Sequence, residues 1–295
     1  MRHALFGWRH AGLALCCLAL CFSARADGAL HPLWELHGKH NTVYLLGSIH
    51  VLRPGDYPLP QVMLDAYGSA NSLLMEVDLA DLDVAQIQGE LLAGATLPEG
   101  KTLRGILGAR RYARADALAR ALGVELSTLD AYAPWFVAEA ISEQQLAALG
   151  FEADSGVEMY FVERARNDGK SVAGLETVHD QISLFQSMTL DAQADYLVSS
   201  LEEAHELPQQ ADEMVRAWQR GDAAWFETEI KQEFGKDPAL YRTMLTGRNR
   251  KWLPKIEALL KENQNYLIIV GTGHLVGRDG VVELLKKDGI EAIQR

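Results

Sequence analysis

Two histidines of this 295-residue chain end the same short pattern: an apolar run, a glycine, a hydroxyl residue, one further residue, then the imidazole. The first copy reads Tyr44-Leu45-Leu46-Gly47-Ser48-Ile49-His50 and the second Ile268-Ile269-Val270-Gly271-Thr272-Gly273-His274. Either histidine alone is as readily structural as catalytic, and G-x-x-H is too short to carry information. The matched pair is what points to a site. Glu76 joins it because Ser72-Leu73-Leu74-Met75-Glu76-Val77-Asp78 is another apolar run with acids at its carboxyl end, and an acid inside such a run is costly to bury unpaired. On an extended strand Glu76 and Asp78 share one face and Val77 takes the other; Asp78 reads as an ordinary strand-end acid.

Two imidazoles and one carboxylate suit two chemistries. His50, Glu76 and His274 can hold a divalent metal that acidifies a bound water and polarises a carbonyl. The same groups can work without metal, His50 and Glu76 activating water as a general-base pair while His274 assists charge development. No H-E-x-x-H helix is present, so the common zinc-protease signature is absent. Glu176, at the end of another apolar run, is either a carboxylate that orients one of the histidines or a helix N-terminal acid favoured by the dipole. Arg248 is either an oxyanion or carboxylate clamp or a surface residue of the basic stretch Arg248-Asn249-Arg250-Lys251. His31, His37, His40, His179 and His205 lack comparable context and read as structural or exposed.

Placing these groups together requires strands whose carboxyl ends share an edge, where ligands gather in open α/β sheets. Apolar runs bounded by turn residues predict strands at Leu33–Leu36, Val43–Gly47, Leu73–Val77, Glu125–Leu129, Val172–Leu175 and Leu267–Val270, with a last one at Ile290–Ile293. The polar stretch from His37 to Asn41 suits a hairpin, whereas later strands are linked through helical patterns that favour parallel pairing. The fold class is therefore α/β: a mixed sheet flanked by helices, with a large helical insertion at about 178–262 before the last central strand. Pro208 and Gly221 punctuate that insertion. It is either a cap or a cover for one sheet face. A strand-end glycine lets the chain turn sharply or approach another group closely.

Residues 1–26 read as a secretory signal: Arg2, His3 and Arg9 precede an apolar run over 11–22, and Ala24-Arg25-Ala26 is a small-x-small cleavage site. The run is about half of the roughly 20 residues that span a bilayer, so no stable membrane span is expected after cleavage. A lipid anchor on Cys21 is the minor alternative, disfavoured by Leu20 before it. Cys16, Cys17 and Cys21 are the chain's three cysteines, so a mature chain over 27–295 has no thiol chemistry, which suits a periplasmic or secreted protein. Without Arg2, Arg9 and Arg25, the 28 basic residues become 25 against 40 acidic ones, a charge of −15. Nucleic acid is an unsuitable partner at that charge. The arginines from Arg104 to Arg120 read as a solvated helix face.

Together these motifs resemble the TraB/GumN family, related to the Wnt-inactivating TIKI proteases. The resemblance covers nearly all of 27–295: the two G-x-x-H segments, Met75-Glu76-Val77-Asp78, Gly156-Val157-Glu158, Ala165-Arg166, Gly169-Lys170, Gly174-Leu175-Glu176-Thr177 and Arg248-Asn249. Glu158 stands where relatives often have aspartate. The resemblance implies a metal-dependent peptidase with manganese or cobalt on His50, Glu76 and His274, Arg248 in the catalytic set, and Glu176 and Asn249 supporting it. More distant erythromycin-esterase-like relatives imply metal-free hydrolysis of another amide or ester, and heme-binding relatives imply a non-catalytic binding protein for heme, metal or peptide. The expected partner is a peptide or small-molecule substrate. Visible light absorption separates the heme reading from the others.

Overall fold

The computed structural model describes residues 29–235 and 237–295. The expected signal over 1–26, its cysteines included, lies outside them. Six strands form one sheet: β1 (Leu33–His37), β2 (Thr42–Ser48), β3 (Ser72–Met75), β4 (Ser171–Gly174), β5 (Tyr266–Gly271) and β6 (Ala292–Gln294), in the order β4-β3-β5-β2-β1-β6. The sheet is mixed, as expected. β1 and β2 pair antiparallel, with His37 opposite Thr42, and β6 runs antiparallel to β1. β2, β5, β3 and β4 are mutually parallel, so their carboxyl ends open on one edge.

β5 lies between β2 and β3, and its first five residues are all buried, as expected of a parallel strand covered on both faces. Helices pack their apolar stripes on the sheet: Gln61–Ser69 with Met63, Ala66 and Tyr67; Val157–Asp168 with Val157, Phe161, Val162 and Ala165; Gly247–Leu259 with Trp252 and Ile256. These residues recur every three or four positions, the spacing that aligns side chains on one helical face.

A second core stands beside the sheet. It unites the helices Leu103–Ala121 and Pro134–Ala148 with the first half of Leu190–Gln219. The region 178–262 is helical as expected, yet its longest helix is shared: Ala194, Leu197 and Leu201 enter this second core, whereas Ala211, Val215 and Trp218 enter the sheet core. Pro208 does not break that helix. It sits, exposed, at the crossover between the two cores, where water can satisfy the carbonyl left without its donor. Gly221, in the left-handed region at φ 60°, does end it. The arginines of Leu103–Ala121 are surface groups, Arg111 pairing with Asp191 and Asp195.

Two strand expectations need correction. Glu125–Leu129 contains the single 3-10 turn Leu126–Leu129 rather than a strand; the Thr128 hydroxyl donates to the Glu125 carbonyl at 2.8 Å, local bonding that competes with a ladder. β3 stops at Met75, so Glu76 and Val77 lie in a bend past the strand. Asp78 caps Ala80 locally, its carboxylate accepting from that amide at 3.0 Å.

Candidate functional site

His50, Glu76, Glu176 and His274 lie just past the carboxyl ends of β2, β3, β4 and β5 and so meet along one edge. Gly271 sits among three of them. A side-chain carbon placed on it would lie 3.4 Å from Glu76 Oε1, 3.5 Å from His50 Nε2 and 3.7 Å from His274 Cδ2. The three groups therefore converge as the sequence suggests.

The two histidines, alike in sequence, occupy opposite environments. After β2 the chain bends at His50, whose side chain is 66% exposed. After β5 it enters the short helix Thr272–Leu275, which turns the His274 side chain inward to 6% exposure. The hydroxyl residues tie the two segments together: Thr272 Oγ1 donates to the Ser48 carbonyl at 2.9 Å, and Ser48 Oγ donates to Glu158. Gly47 serves close approach rather than turning, because a Cβ there would meet Thr272 Oγ1 at 2.8 Å.

His50 is held by Glu158, whose Oε1 lies 2.7 Å from Nδ1. Sequence reasoning passed over this buried acid as a conservative family variation. The available signal was its position on an apolar stripe, three and four residues before Phe161 and Val162, where an unpaired acid is costly. Gly156 brings it into reach, since a Cβ there would overlap the His50 carbonyl. The Glu158 charge raises His50 to about 9, opposed by desolvation and reinforced by Glu76. Burial works to raise Glu158, but the positive His50 and the two hydrogen bonds hold its carboxyl below the usual range.

Arg248 is not the surface residue that its basic stretch allowed. It is buried at the start of Gly247–Leu259, on the face that carries Trp252 and Ile256. A guanidinium has five N–H donors, and each is engaged. Nε donates to Glu176 at 3.0 Å, Nη1 to the Met244 carbonyl at 3.2 Å and to His274 Nε2 at 2.9 Å, and Nη2 to both Glu76 and Glu176. A clamp on substrate would require one of these bonds to break. Glu176 is thus a partner of Arg248 rather than of either imidazole, and Trp252 Nε1 and Gln181 Nε2 donate to it as well.

These bonds assign the tautomer of His274. Nε2 must accept from Arg248, so Nδ1 carries the proton and donates to Asn249 Oδ1 at 2.7 Å, while Asn249 Nδ2 donates to the Asp279 carbonyl. Asn249 is therefore bonded directly to His274. Burial, together with the nearby positive groups, lowers His274 to about 3 against the pull of Glu76. It is neutral at physiological pH. Burial favours the protonated form of Glu76, but the positive Arg248 and His50 and the Gly271 amide, which donates at 2.8 Å, hold its carboxyl below the usual range.

Stability should respond to these shifts. A histidine depressed to about 3 binds its proton more weakly folded than unfolded, so stability falls as pH drops from 6.5 towards 3, by up to about 1.4 kcal/mol per pH unit. Glu76, depressed from 4.5, removes stability in the same direction below 4.5. We expect denaturant midpoints to decline below pH 6.5 and His274→Gln to flatten the decline between 6.5 and 4.5. Equal slopes in both proteins would contradict the buried neutral assignment.

The fit to a metal is poor in this arrangement. The His274 Nε2 lone pair is directed at Arg248, both Glu76 oxygens already accept hydrogen bonds, and the guanidinium is itself the cation between the carboxylates. Among the described residues no three His, Cys, Asp or Glu side chains are gathered as ligands of one ion. The remaining described histidines stay outside the site; His31 Nδ1, for example, bonds to the Gln219 carbonyl at 2.9 Å.

Among known proteins, this chain is similar to the uncharacterized protein YbaP of Escherichia coli (strain K12), 23% identical over 243 residues that cover 82% of this chain and 87% of that one. YbaP of Shigella flexneri matches equally. An uncharacterized protein of Treponema pallidum (strain Nichols) is 22% identical over 313 residues, covering 97% and 93%. No solved structure gives a significant match. The sequence over residues 32–294 matches the TraB/PrgY/gumN family, and with the paired histidines, Glu76 and the Arg248-Asn249 pair in place around one sheet edge, the chain belongs to that family.

Proposed function

We propose that this protein is an exported hydrolase of peptide bonds or of other amides or esters, working by general-base catalysis at His50. The observation that carries this reading is the open imidazole. Glu158 anchors its Nδ1 while Nε2 faces a cavity of about 300 Å³ lined by Glu76, Glu158, Met159 and Gln181. With Nδ1–H donating to Glu158, neutral His50 presents a lone pair at Nε2. It takes a proton from water as the water oxygen attacks the carbonyl carbon, then returns that proton to the departing nitrogen or oxygen. Glu158 and Glu76 stabilise the imidazolium formed in between. Arg248, held in place by His274 and Glu176, acts beneath, fixing Glu76 as an anion.

Catalysis by neutral His50 fixes the sign of the pH dependence. Since His50 is raised to about 9, kcat/KM should climb with pH through the range from 7 to 9. Glu158→Gln removes the largest cause of the shift and should bring the limb down by about one to two pH units, towards an ordinary histidine near 6.5, while lowering the plateau. A profile unmoved by Glu158→Gln, measured on an ester or peptide that the native protein cleaves, would reject the pair.

The metal-dependent alternative needs Arg248 to leave His274 and Glu76. Activity is therefore expected to survive dialysis against a chelator and to gain nothing from manganese or cobalt; restoration by either ion after loss would favour that alternative. Export rests on the signal pattern over 1–26. Among the described residues no helix is long and apolar enough to cross a membrane. Mass spectrometry of protein recovered from the cell envelope should find an N-terminus at or near Asp27, and an intact Met1 would count against cleavage.

A further inference from the structure

A second cavity adjoins the catalytic one and is unlike it in character. It encloses about 460 Å³ where the helices Val84–Ala95, Pro134–Ala148 and Val178–Gln186 meet. Its apolar lining includes Leu91, Trp135, Phe136, Ile182 and Phe185, with Trp135 and Phe185 stacked at 5.0 Å and 17°. Gln181 lines both cavities while its amide donates to Glu76 and Glu176. A group seated against the aromatic wall is thus one side chain away from the catalytic carboxylate.

The same cavity carries two acids. Phe136, Glu139, Ala140 and Glu143 all line it from one helix face, at the three- and four-residue spacing that aligns side chains. Both glutamates are exposed. Helix packing alone would close this space with apolar side chains; here it opens beside the reacting groups with a negative rim. Apolar walls with a few placed charges characterise ligand pockets, and a negative rim selects cationic neighbours.

We infer that this cavity is a specificity subsite for a peptide substrate, receiving a large apolar side chain whose neighbouring residue is lysine or arginine. The inference rests on the hydrolase reading for its link to cleavage, but the binding it describes can be measured without turnover. The stacked rings and aliphatic walls exclude small or acidic side chains by lost burial and by unpaired charge. Glu143, beside Glu139, whose carboxylate accepts from the Tyr196 hydroxyl, attracts the adjacent cation. The formal charge of −12 for the whole chain acts in the same sense.

The test uses blocked alanine-based peptides carrying Phe, Leu, Ala or Asp beside a single lysine. Affinity is measured on His50→Ala protein through tryptophan fluorescence, and kcat/KM on the native protein. Filling a pocket with a large apolar group is worth about 10- to 200-fold in discrimination, so the Phe and Leu peptides should bind at least tenfold more tightly than the Ala and Asp peptides. Ala140→Trp, which fills the cavity, should bring that ratio close to one. Glu143→Lys should weaken the lysine-containing peptides while sparing a norleucine analogue, and it decides the matter if Ala140→Trp does not fold. Equal affinity for all four peptides, or tightest binding of the Asp peptide, overturns the subsite. If the native protein cleaves peptides without such preference, the subsite fails and the hydrolase stands; if preference is seen with no cleavage of any peptide, the subsite stands and the hydrolase fails.

Discussion

Replacing His50 by alanine is expected to lower kcat/KM by about 100- to 10,000-fold, the contribution of a positioned general base, while the protein stays folded. The side chain is two-thirds exposed and contributes little packing. Glu158, buried, loses its charged partner and keeps only the Ser48 hydroxyl, so its carboxyl must take up a proton and a modest loss of thermal stability should accompany the loss of activity. Steady-state kinetics beside calorimetry separates the two effects. His274→Ala presents the contrasting case. It removes a buried ring 4.5 Å from the Trp252 ring and leaves Arg248 Nη1 and Asn249 Oδ1 without their partner, so both activity and stability should fall. Near-normal turnover in His50→Ala would remove the base from the mechanism.

Arg248→Met should be the most destabilising substitution in the site. Methionine keeps the apolar stem but strips the charge from between Glu76 and Glu176, each about 10% exposed. Removing one partner of a buried ionic cluster costs about 3–5 kcal/mol because the remaining charges are uncompensated. In a domain of this size that corresponds to a fall of roughly 10 °C in Tm. Adding Glu176→Gln to Arg248→Met should recover part of the loss, because one stranded charge disappears; such coupling is typically about 0.5–3 kcal/mol. Arg248→Lys should not restore stability, since an ammonium cannot reproduce five donors in a planar fork. A stable Arg248→Met protein with unchanged activity would show that the guanidinium does not hold Glu76 in its catalytic form.

Both outcomes trace to one division of labour. Burial and a full set of hydrogen bonds make His274, Asn249 and Arg248 a rigid base, with His274 locked neutral. His50, open to solvent and backed by Glu158, is the imidazole free to exchange a proton. The G-x-x-H echo placed both histidines past parallel strands without distinguishing them. The distinction comes from the backbone just beyond each strand: a bend after β2, where the Ile49 carbonyl accepts from the Val157 amide at 3.1 Å, and a turn of helix after β5.

By itself the sequence located the four parallel strands and the residues near their ends, because a buried parallel strand reads as a continuous apolar run and its polar neighbours then fall at the edge, although the same signal misplaced a strand at Glu125–Leu129. It also determined that His50, Glu76 and His274 share a site, since matched positions on parallel strands are matched positions in space. Only the tertiary structure decided the partners and burial of each group. Glu158 reaches His50 across 108 positions and Arg248 reaches Glu76 across 172, and no local pattern encodes a contact between segments so far apart. Ionisation states were equally hidden. Whether an imidazole is raised to about 9 or lowered to about 3 depends on the charges beside it and the water denied to it. Those quantities exist only once helices from distant parts of the chain have closed over the strand ends.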